Sequence, residues 1–412
     1  MLLNYLKMAW KVLGRRKFFT FVSLFGIAFT MTAMLIVVAI ADHVLAPSYP
    51  ETRLDRVLVL DRMKMAGARS SWYSGPGFKL VDRYARDLPG VERMSIYTSA
   101  SEASSFLEGR KLVFRTRHAD AEFWRVMEFA FVEGGPFTED DDRNANRVAV
   151  IGEGARRRLF GAEPALGRSV ELDGVQFRVV GVVRDAPLYR MHSSSDLWLP
   201  IRTNTEAGFF DRLMGGCQAV FLLEPGADKK QIQAAFRERL TRVEFDDPET
   251  FNTLAGLPMT QLELLSTFGS SEPGETAPRR AVLLCLLGML AFMALPAINL
   301  VNINLSRIYE RGGEIGVRKA FGAAGRDLVL QFVVENVVLC LIGGAIGLLA
   351  AVLLLKSAVL FAGDLAVEFH VNWRIFAATL LLAIVFGLLS GVWPAWKMSR
   401  QHPVLALRGG AS

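Results

Sequence analysis

Four stretches of this chain are apolar over membrane-spanning length, and they decide what it can fold into, because a bilayer core takes about 20 consecutive apolar residues as helix. Their apolar cores run from Phe18 to Ile40, Ala281 to Leu305, Leu328 to Leu355 and Ile375 to Trp396. Only Glu335 places a charge among them. The first core exceeds the roughly 7 to 15 residues of a signal-peptide apolar region, so the Ala39-Ile40-Ala41 triplet at its end is read as part of an uncleaved anchor. With 51% hydrophobic residues and a mean hydropathy of +0.29, the expected fold class is a membrane protein. It has four transmembrane α-helices, with a large mixed α/β extracytoplasmic domain between the first and second.

Orientation follows from the lysines and arginines that flank the spans, since short cytoplasmic segments carry the excess. Lys7, Lys11, Arg15, Arg16 and Lys17 precede the first span without an acid among them. Arg307, Arg311, Arg318, Lys319 and Arg326 lie between the second and third, and Lys397, Arg400 and Arg408 follow the fourth. From Asp42 to Arg280 the balance reverses, with 32 basic and 35 acidic side chains. The net charge of +6 is therefore a topology signal beside membrane, and no nucleic-acid partner is expected. Both termini are expected in the cytoplasm. The chain divides into a cytoplasmic amphipathic helix at 1–17, spans at 18–42, 279–306, 328–355 and 375–396, and an extracytoplasmic domain at 43–278. A cytoplasmic loop at 307–327, a short outer loop at 356–374 and a cytoplasmic tail at 397–412 complete it.

Within the large domain, Arg147 to Ile151 and Val175 to Val183 have strand composition, the second entered by an Asp173-Gly174 turn. Gly154 to Phe160 and Lys229 to Val243 have helical composition, the latter spacing Ile232, Ala235, Phe236 and Leu240 on one face. Gly269 to Pro278 is expected to be a linker.

Catalytic and cofactor signatures are scarce. Gly152-Glu-Gly154 after a strand is similar to the start of a dinucleotide-binding turn, but the third glycine position is Arg157, which favours a structural turn. No Gly-Lys pair occurs, so the sequence has no phosphate-cradling P-loop and any ATP use is expected in trans. Five scattered histidines and three unpaired cysteines give no metal spacing and no disulfide framework. His192 beside Ser193, Ser194 and Ser195 lacks a Gly-x-Ser-x-Gly elbow and reads as a polar loop, and Glu139 to Asp142 as a solvated acidic one.

The most specific segment is the loop between the second and third spans. Glu310-Arg-Gly-Gly-Glu314-Ile-Gly-Val-Arg318-Lys-Ala-Phe-Gly322, followed by Gln331 to Glu335, resembles the signature of MacB/FtsX-type ABC permeases. Pro394-Ala395 and Pro403 to Arg408 resemble the same family's ending, and Glu133-Gly134, Leu159 to Gly161, Pro164 to Gly167 and Val180 to Asp185 are similar to its MacB-like periplasmic core domain. The resemblance implies a non-catalytic permease subunit in a bacterial cytoplasmic membrane, driven by a cytoplasmic ABC ATPase and paired with a second copy or a paralogue. ATP and Mg would be used by that ATPase, with no cofactor bound by this chain. In this mechanotransmission type, ATP-driven closure moves the outer domains to export or extract an amphiphilic substrate, with a periplasmic adaptor as a further partner. The other reading is an FtsX-like transmitter that activates an extracytoplasmic enzyme without transport. Because the chain begins at the amphipathic helix, the ATPase is expected on a separate polypeptide.

Residue by residue, the ATPase-coupling set is Glu310, Glu314, Ile315, Val317, Arg318, Lys319, Phe321 and Gly322. Glu314 and Arg318 stand at i,i+4, an acid-to-base spacing that supports a short helix, while Ile315, Val317 and Phe321 add apolar surface that could seat in an ATPase groove. Residues 1–17 read as an amphipathic helix lying on membrane lipid, with Trp10 as an anchor or an ATPase contact. Inside the membrane, Glu335 is expected to snorkel or to hydrogen-bond within the bundle. Gly343 and Gly347 form a Gly-x-x-x-Gly face for close packing, within one subunit or between two. Pro296 is a kink in the second span, as hinge or as a tolerated break.

Overall fold

The computed structural model describes Gly14, residues 17–107, 109–267, 277–310 and 325–362, and eleven positions between 373 and 388. Its helices include α1 (Lys17–Leu45), α2 (Phe78–Tyr84), α3 (Glu139–Arg143), α4 (Glu153–Phe160), α5 (Lys229–Leu240), α6 (Pro278–Glu310) and α7 (Gly325–Ala362). Two units separate, one of residues 1–43 and 282–412, the other Val44–Ala281.

In the first unit, α1 is 29 residues long and α7 is 38. At about 1.5 Å per residue each exceeds the roughly 30 Å of a hydrocarbon core. Among the described residues, two segments are long and apolar enough to cross a membrane, Lys17–Leu45 and Val333–Ser357. The backbone of α6 is helical through position 296 and reaches Glu310. Ile27, Met31 and Met34 of α1 pack with Met293 of α6 and with Leu339 and Cys340 of α7.

The second unit is built on a mixed sheet. Its strands are β1 (Val57–Leu60), β2 (Met63–Ala66), β3 (Ser71–Pro76), β4 (Val91–Thr98), β5 (Ser101–Leu107), β6 (Arg110–Ala119) and β7 (Phe131–Gly134). They continue with β8 (Val148–Gly152), β9 (Ser169–Leu172), β10 (Val175–Val183), β11 (Leu197–Pro200), β12 (Met214–Gly215), β13 (Cys217–Leu223) and β14 (Thr253–Ala255). The large sheet runs β1-β13-β4-β6-β11-β8-β10-β7, with β5 beside β6 and β9 beside β10, and β12-β3-β2-β14 form a smaller one. The pairs β6/β11 and β8/β10 are parallel and the other strand pairs of the large sheet antiparallel.

Two apolar cores divide this unit. In the larger, β1 and β13 are buried at every position, so they carry continuous apolar runs rather than alternation. Helices α2 and α5 cover them with Leu80, Val81, Ile232, Phe236 and Leu240. The smaller core lies inside six strands in the order β5-β6-β11-β8-β10-β9. The ring closes where the Asp173 amide donates to the Ser104 carbonyl oxygen (2.8 Å) and the Ser104 amide to Asp173 Oδ1 (2.9 Å). Every second residue points inward, as strand geometry requires: Phe114, Ala149, Ile151, Val170, Leu172, Phe177, Val179, Leu197 and Leu199. The result is a small β-barrel, with Ala155 and Leu159 of α4 packed against it.

Candidate functional site

The polar side chains that the sequence places on a loop gather under the surface of the α/β unit. Arg190, 2% exposed, reaches back to the segment with which this unit begins. Its Nε donates to Ser48 Oγ (3.1 Å), its Nη1 lies 3.4 Å from Glu51 Oε2 and 3.5 Å from the Val44 carbonyl oxygen, and its Nη2 donates to the Ala46 carbonyl oxygen. Val44 is in the last turn of α1, where carbonyls have no intrahelical donor, so the guanidinium satisfies groups that a buried chain would otherwise leave orphaned. Glu51 is also buried, and its second oxygen accepts from Ser193 Oγ at 2.7 Å. A buried charge pair persists only when hydrogen bonds satisfy the rest of each group, and here they do.

The rest of loop 187–196 is pinned as firmly. Arg117, 1% exposed, donates to the Met191 carbonyl oxygen (2.7 Å) and the Thr98 carbonyl oxygen (2.8 Å), with its guanidinium 5.0 Å from the Tyr97 ring. Burial lowers its pKa to about 10, which leaves it charged at neutral pH. Tyr97 Oη and His192 Nδ1 are 3.0 Å apart. Burial pushes the tyrosine well up and the histidine down, so both are neutral at pH 7. Ser194 Oγ accepts from Arg115 Nη2 (3.0 Å), and Ser195 Oγ donates to the Arg115 carbonyl oxygen (2.9 Å). The run His192 to Ser195 is thus a buried clasp. Ser193 is bonded to Glu51 and His192 to Tyr97, which is no nucleophile–base arrangement.

Two other polar motifs are also accounted for locally. The turn after β8 is filled by the chain itself: Asp185 accepts from the Gly154 amide through Oδ1 (3.0 Å) and Oδ2 (2.9 Å), taking the position an anion would occupy at the start of α4. The acids Glu139 to Asp142 belong to α3, whose N-terminus carries a capping box between Thr138 and Asp141, with Asp142 buried. Among the described residues no three His, Cys, Asp or Glu side chains gather as a metal site.

In the membrane unit, a Cβ added at Gly343 would lie 2.7 Å from Ile27 Cγ2, and one at Gly347 would lie 2.7 Å from Met31 Cβ and 2.8 Å from the Ala28 carbonyl oxygen. Thr32 Oγ1 donates to the Gly347 carbonyl oxygen (3.1 Å) and to that of Ala28 (2.7 Å). The glycine face of α7 is therefore packed against α1 of the same chain. Glu335 is 2% exposed beside the equally buried Asn336, so its side chain faces protein. Glu310 ends α6, its side chain outside the described residues, as is that of Pro296. Glu314, Ile315, Val317, Arg318, Lys319, Phe321 and Gly322 lie outside them altogether.

The chain combines a helical unit holding two helices of membrane-spanning length with a large α/β unit. Comparison with known proteins gives the family. The model of the MacB-like periplasmic core domain matches residues 20–239, and that of the FtsX-like permease C-terminal region matches residues 264–403. The chain belongs to the MacB/FtsX-type permeases of ABC transporters.

It is 26% identical over 425 residues to the pyoverdine export ATP-binding/permease protein PvdT of Pseudomonas aeruginosa, covering 98% of this chain and 58% of that protein. To the macrolide export ATP-binding/permease protein MacB of Sodalis glossinidius it is 27% identical over 427 residues, covering 98% and 60%. The chain thus spans about three fifths of the length of these curated relatives. Among solved structures, the periplasmic region of MacB from Actinobacillus actinomycetemcomitans is similar at a TM-score of 0.38 and 16% identity, covering 52% of this chain and 94% of that one.

A stability prediction follows from the buried histidines. Burial holds His118 down to about 4 and lowers His192, so below pH 6.5 the unfolded chain takes protons that the folded one refuses. Their contribution is complete above pH 6.5 and is lost as pH falls toward 4. Asp120, pushed up to about 7 by burial, has the opposite sign, losing stability as pH rises from 3.8 toward 7. A His118→Gln variant isolates one term: its stability relative to the parent should rise by about 3 kcal/mol between pH 7 and pH 4, at 1.36 kcal/mol per unit. Thermal unfolding at a series of pH values checks this, and parallel curves would contradict it.

Proposed function

We propose that this chain is the permease subunit of an ABC transporter of the mechanotransmission type. Four spans place both termini in the cytoplasm of a bacterium. A separate cytoplasmic ATPase hydrolyses Mg-ATP, and the stroke moves the periplasmic domain to export or extract an amphiphilic substrate. The observation that carries this reading is the pair of family-model matches, to residues 20–239 and 264–403. Within the α/β unit, Arg190 and Glu51 fix residues 44–51 to loop 187–196. The names of the relatives, which couple ATP-binding and permease functions, support the ATPase partner. The exposed row Phe21, Phe25 and Phe29, successive rings 6.1 Å apart, supports a lipid-facing side of α1.

In this account Glu310, Glu314 and Arg318, with Ile315, Val317, Lys319, Phe321 and Gly322, receive the ATPase as a helix in its groove. A second copy or a paralogue completes the transporter, with a periplasmic adaptor as a further partner. Isolation of the native complex in a gentle detergent, followed by mass spectrometry and an ATPase assay, tests the reading. A P-loop ATPase should be present in stoichiometric amount and be lost when Glu314→Lys and Arg318→Glu are combined. Recovery of the chain alone under conditions that keep other membrane complexes intact would overturn it.

A further inference from the structure

The barrel that encloses the smaller core is open at one end. There the inward row of β6 continues past Phe114 to Thr116 and His118, beside Leu199 of the parallel β11, and the opposite wall is Leu172 and Phe177 of β9 and β10. The mouth is a cavity of about 510 Å³, within the range of small-molecule sites, and barrel mouths are a common place for them.

Its chemistry is divided between floor and rim. The floor combines Leu172, Phe177 and Leu199 with the Thr116 hydroxyl and the imidazole of His118, neutral at physiological pH because burial lowers its pKa to about 4. Arg147, at the entrance to β8, and Arg202, after β11, stand exposed on the rim. Arg147 has no ion pair or hydrogen bond from its guanidinium among the described residues, and Arg202 lies 6.0 Å from the rings of Phe78 and Phe210. The rim also carries acids. Glu206 pairs with Arg212, while Glu102 and Asp173, the latter accepting the Ser104 amide, stand without a cationic partner among the described residues, so two carboxylates share the rim with the two arginines.

We propose that the barrel mouth binds a small anion with an apolar body, the body seated on Leu172, Phe177 and Leu199 and the anionic group held between Arg147 and Arg202. Binding itself stands on this geometry alone, and only its use as the station where substrate meets the periplasmic domain rests on the transporter reading. Guanidinium groups favour carboxylates and phosphates through paired, charge-assisted hydrogen bonds, and the apolar surface of Leu172, Phe177 and Leu199 favours an apolar tail.

The test uses the full chain in phosphatidylcholine nanodiscs and three probes of one shape: 4-(4-fluorophenyl)butyrate, its amide and the corresponding primary amine. Fluorine NMR follows each titration, with empty nanodiscs subtracted for partition into lipid. The carboxylate should bind saturably, with the amide and the amine weaker by about tenfold or more, the scale of a lost charge-assisted hydrogen bond. Arg147→Gln with Arg202→Gln should weaken the carboxylate by a similar factor and leave the amide unchanged. A spin label at Thr205→Cys, in a Cys285→Ser background, should broaden the bound signal.

Equal binding of the three probes, preference for the amine, saturable binding that ignores both arginines, or no saturable binding would each overturn the proposal. Since no ATPase is needed, a chain that binds the carboxylate but recruits no ATPase keeps this site and sinks the transporter reading. A chain that recruits the ATPase but binds none of the probes does the reverse.

Discussion

Arg190→Met should destabilise the periplasmic domain by about 3–5 kcal/mol, the cost of leaving one member of a buried ion pair without its partner. For a domain of this size that is a fall in Tm on the order of 10 °C. The loss is large because Glu51 would keep one hydrogen bond, from Ser193, and would face a thioether where a guanidinium now lies 3.4 Å away. Adding Glu51→Leu should recover most of the stability, since a packed apolar pair can replace a buried ionic one at little net cost. The recovered protein would still lack the hydrogen bonds that Arg190 gives to Ala46 and Ser48. The double variant therefore separates two roles of one residue. Stability should return, while coupling between ATP hydrolysis and the periplasmic domain should not. A double variant as unstable as the single one in differential scanning calorimetry would show that Glu51 is not what Arg190 compensates.

Gly347→Val should disrupt the membrane unit. The added Cβ alone would meet Met31 Cβ at 2.7 Å and the Ala28 carbonyl oxygen at 2.8 Å, and neither belongs to the movable end of a side chain. Overpacking a tight site costs about 1–3 kcal/mol, and here α1 and α7 would have to separate, breaking the Thr32 hydrogen bond to Gly347. Gly288→Val is the matched control, since a Cβ there meets nothing within 4 Å. Thermal unfolding in detergent, or survival of the folded band on heating, should report a clear loss for Gly347→Val and little change for Gly288→Val. Equal behaviour would mean that the α1–α7 contact does not carry the unit.

The spans and strands announce themselves in the sequence for local reasons. A run such as Phe18 to Ile40 is uncharged over the length of a membrane span, and Val175 to Val183 combines β-branched density with a turn at Asp173-Gly174, so its strand bounds are legible to the residue. The same locality makes the glycine pattern of α7 legible as a packing face without saying what it packs on. Ile27, Ala28 and Met31 supply the answer from more than 300 residues away in the chain, as the 315-residue separation of Thr32 from Gly347 illustrates.

The clasp is invisible for that reason and for a second one. Glu51 stands 139 residues from Arg190 and 142 from Ser193, and charged and hydroxyl side chains on a turn are by default read as exposed. His192 to Ser195 is a polar loop in sequence and a buried one in the fold, because each hydroxyl finds a partner on β6 or on the segment after α1. Arg117 is hidden in the same way: alternation puts it on the face of β6 opposite Thr116 and His118, where an arginine reads as exposed, yet it is 1% exposed and bonded to the Thr98 and Met191 carbonyl oxygens. The barrel mouth was equally hidden, since its six strands are brought together only by tertiary pairing.

Hydrogen exchange of the intact complex, compared with and without ATP, tests most directly whether nucleotide-driven motion reaches the periplasmic domain. Amides of residues 44–51 and 187–196 should change protection on ATP addition, and should stop responding in the Arg190→Met, Glu51→Leu protein while the ATPase stays bound and active. A periplasmic domain whose exchange ignores ATP in the parent complex would contradict the account.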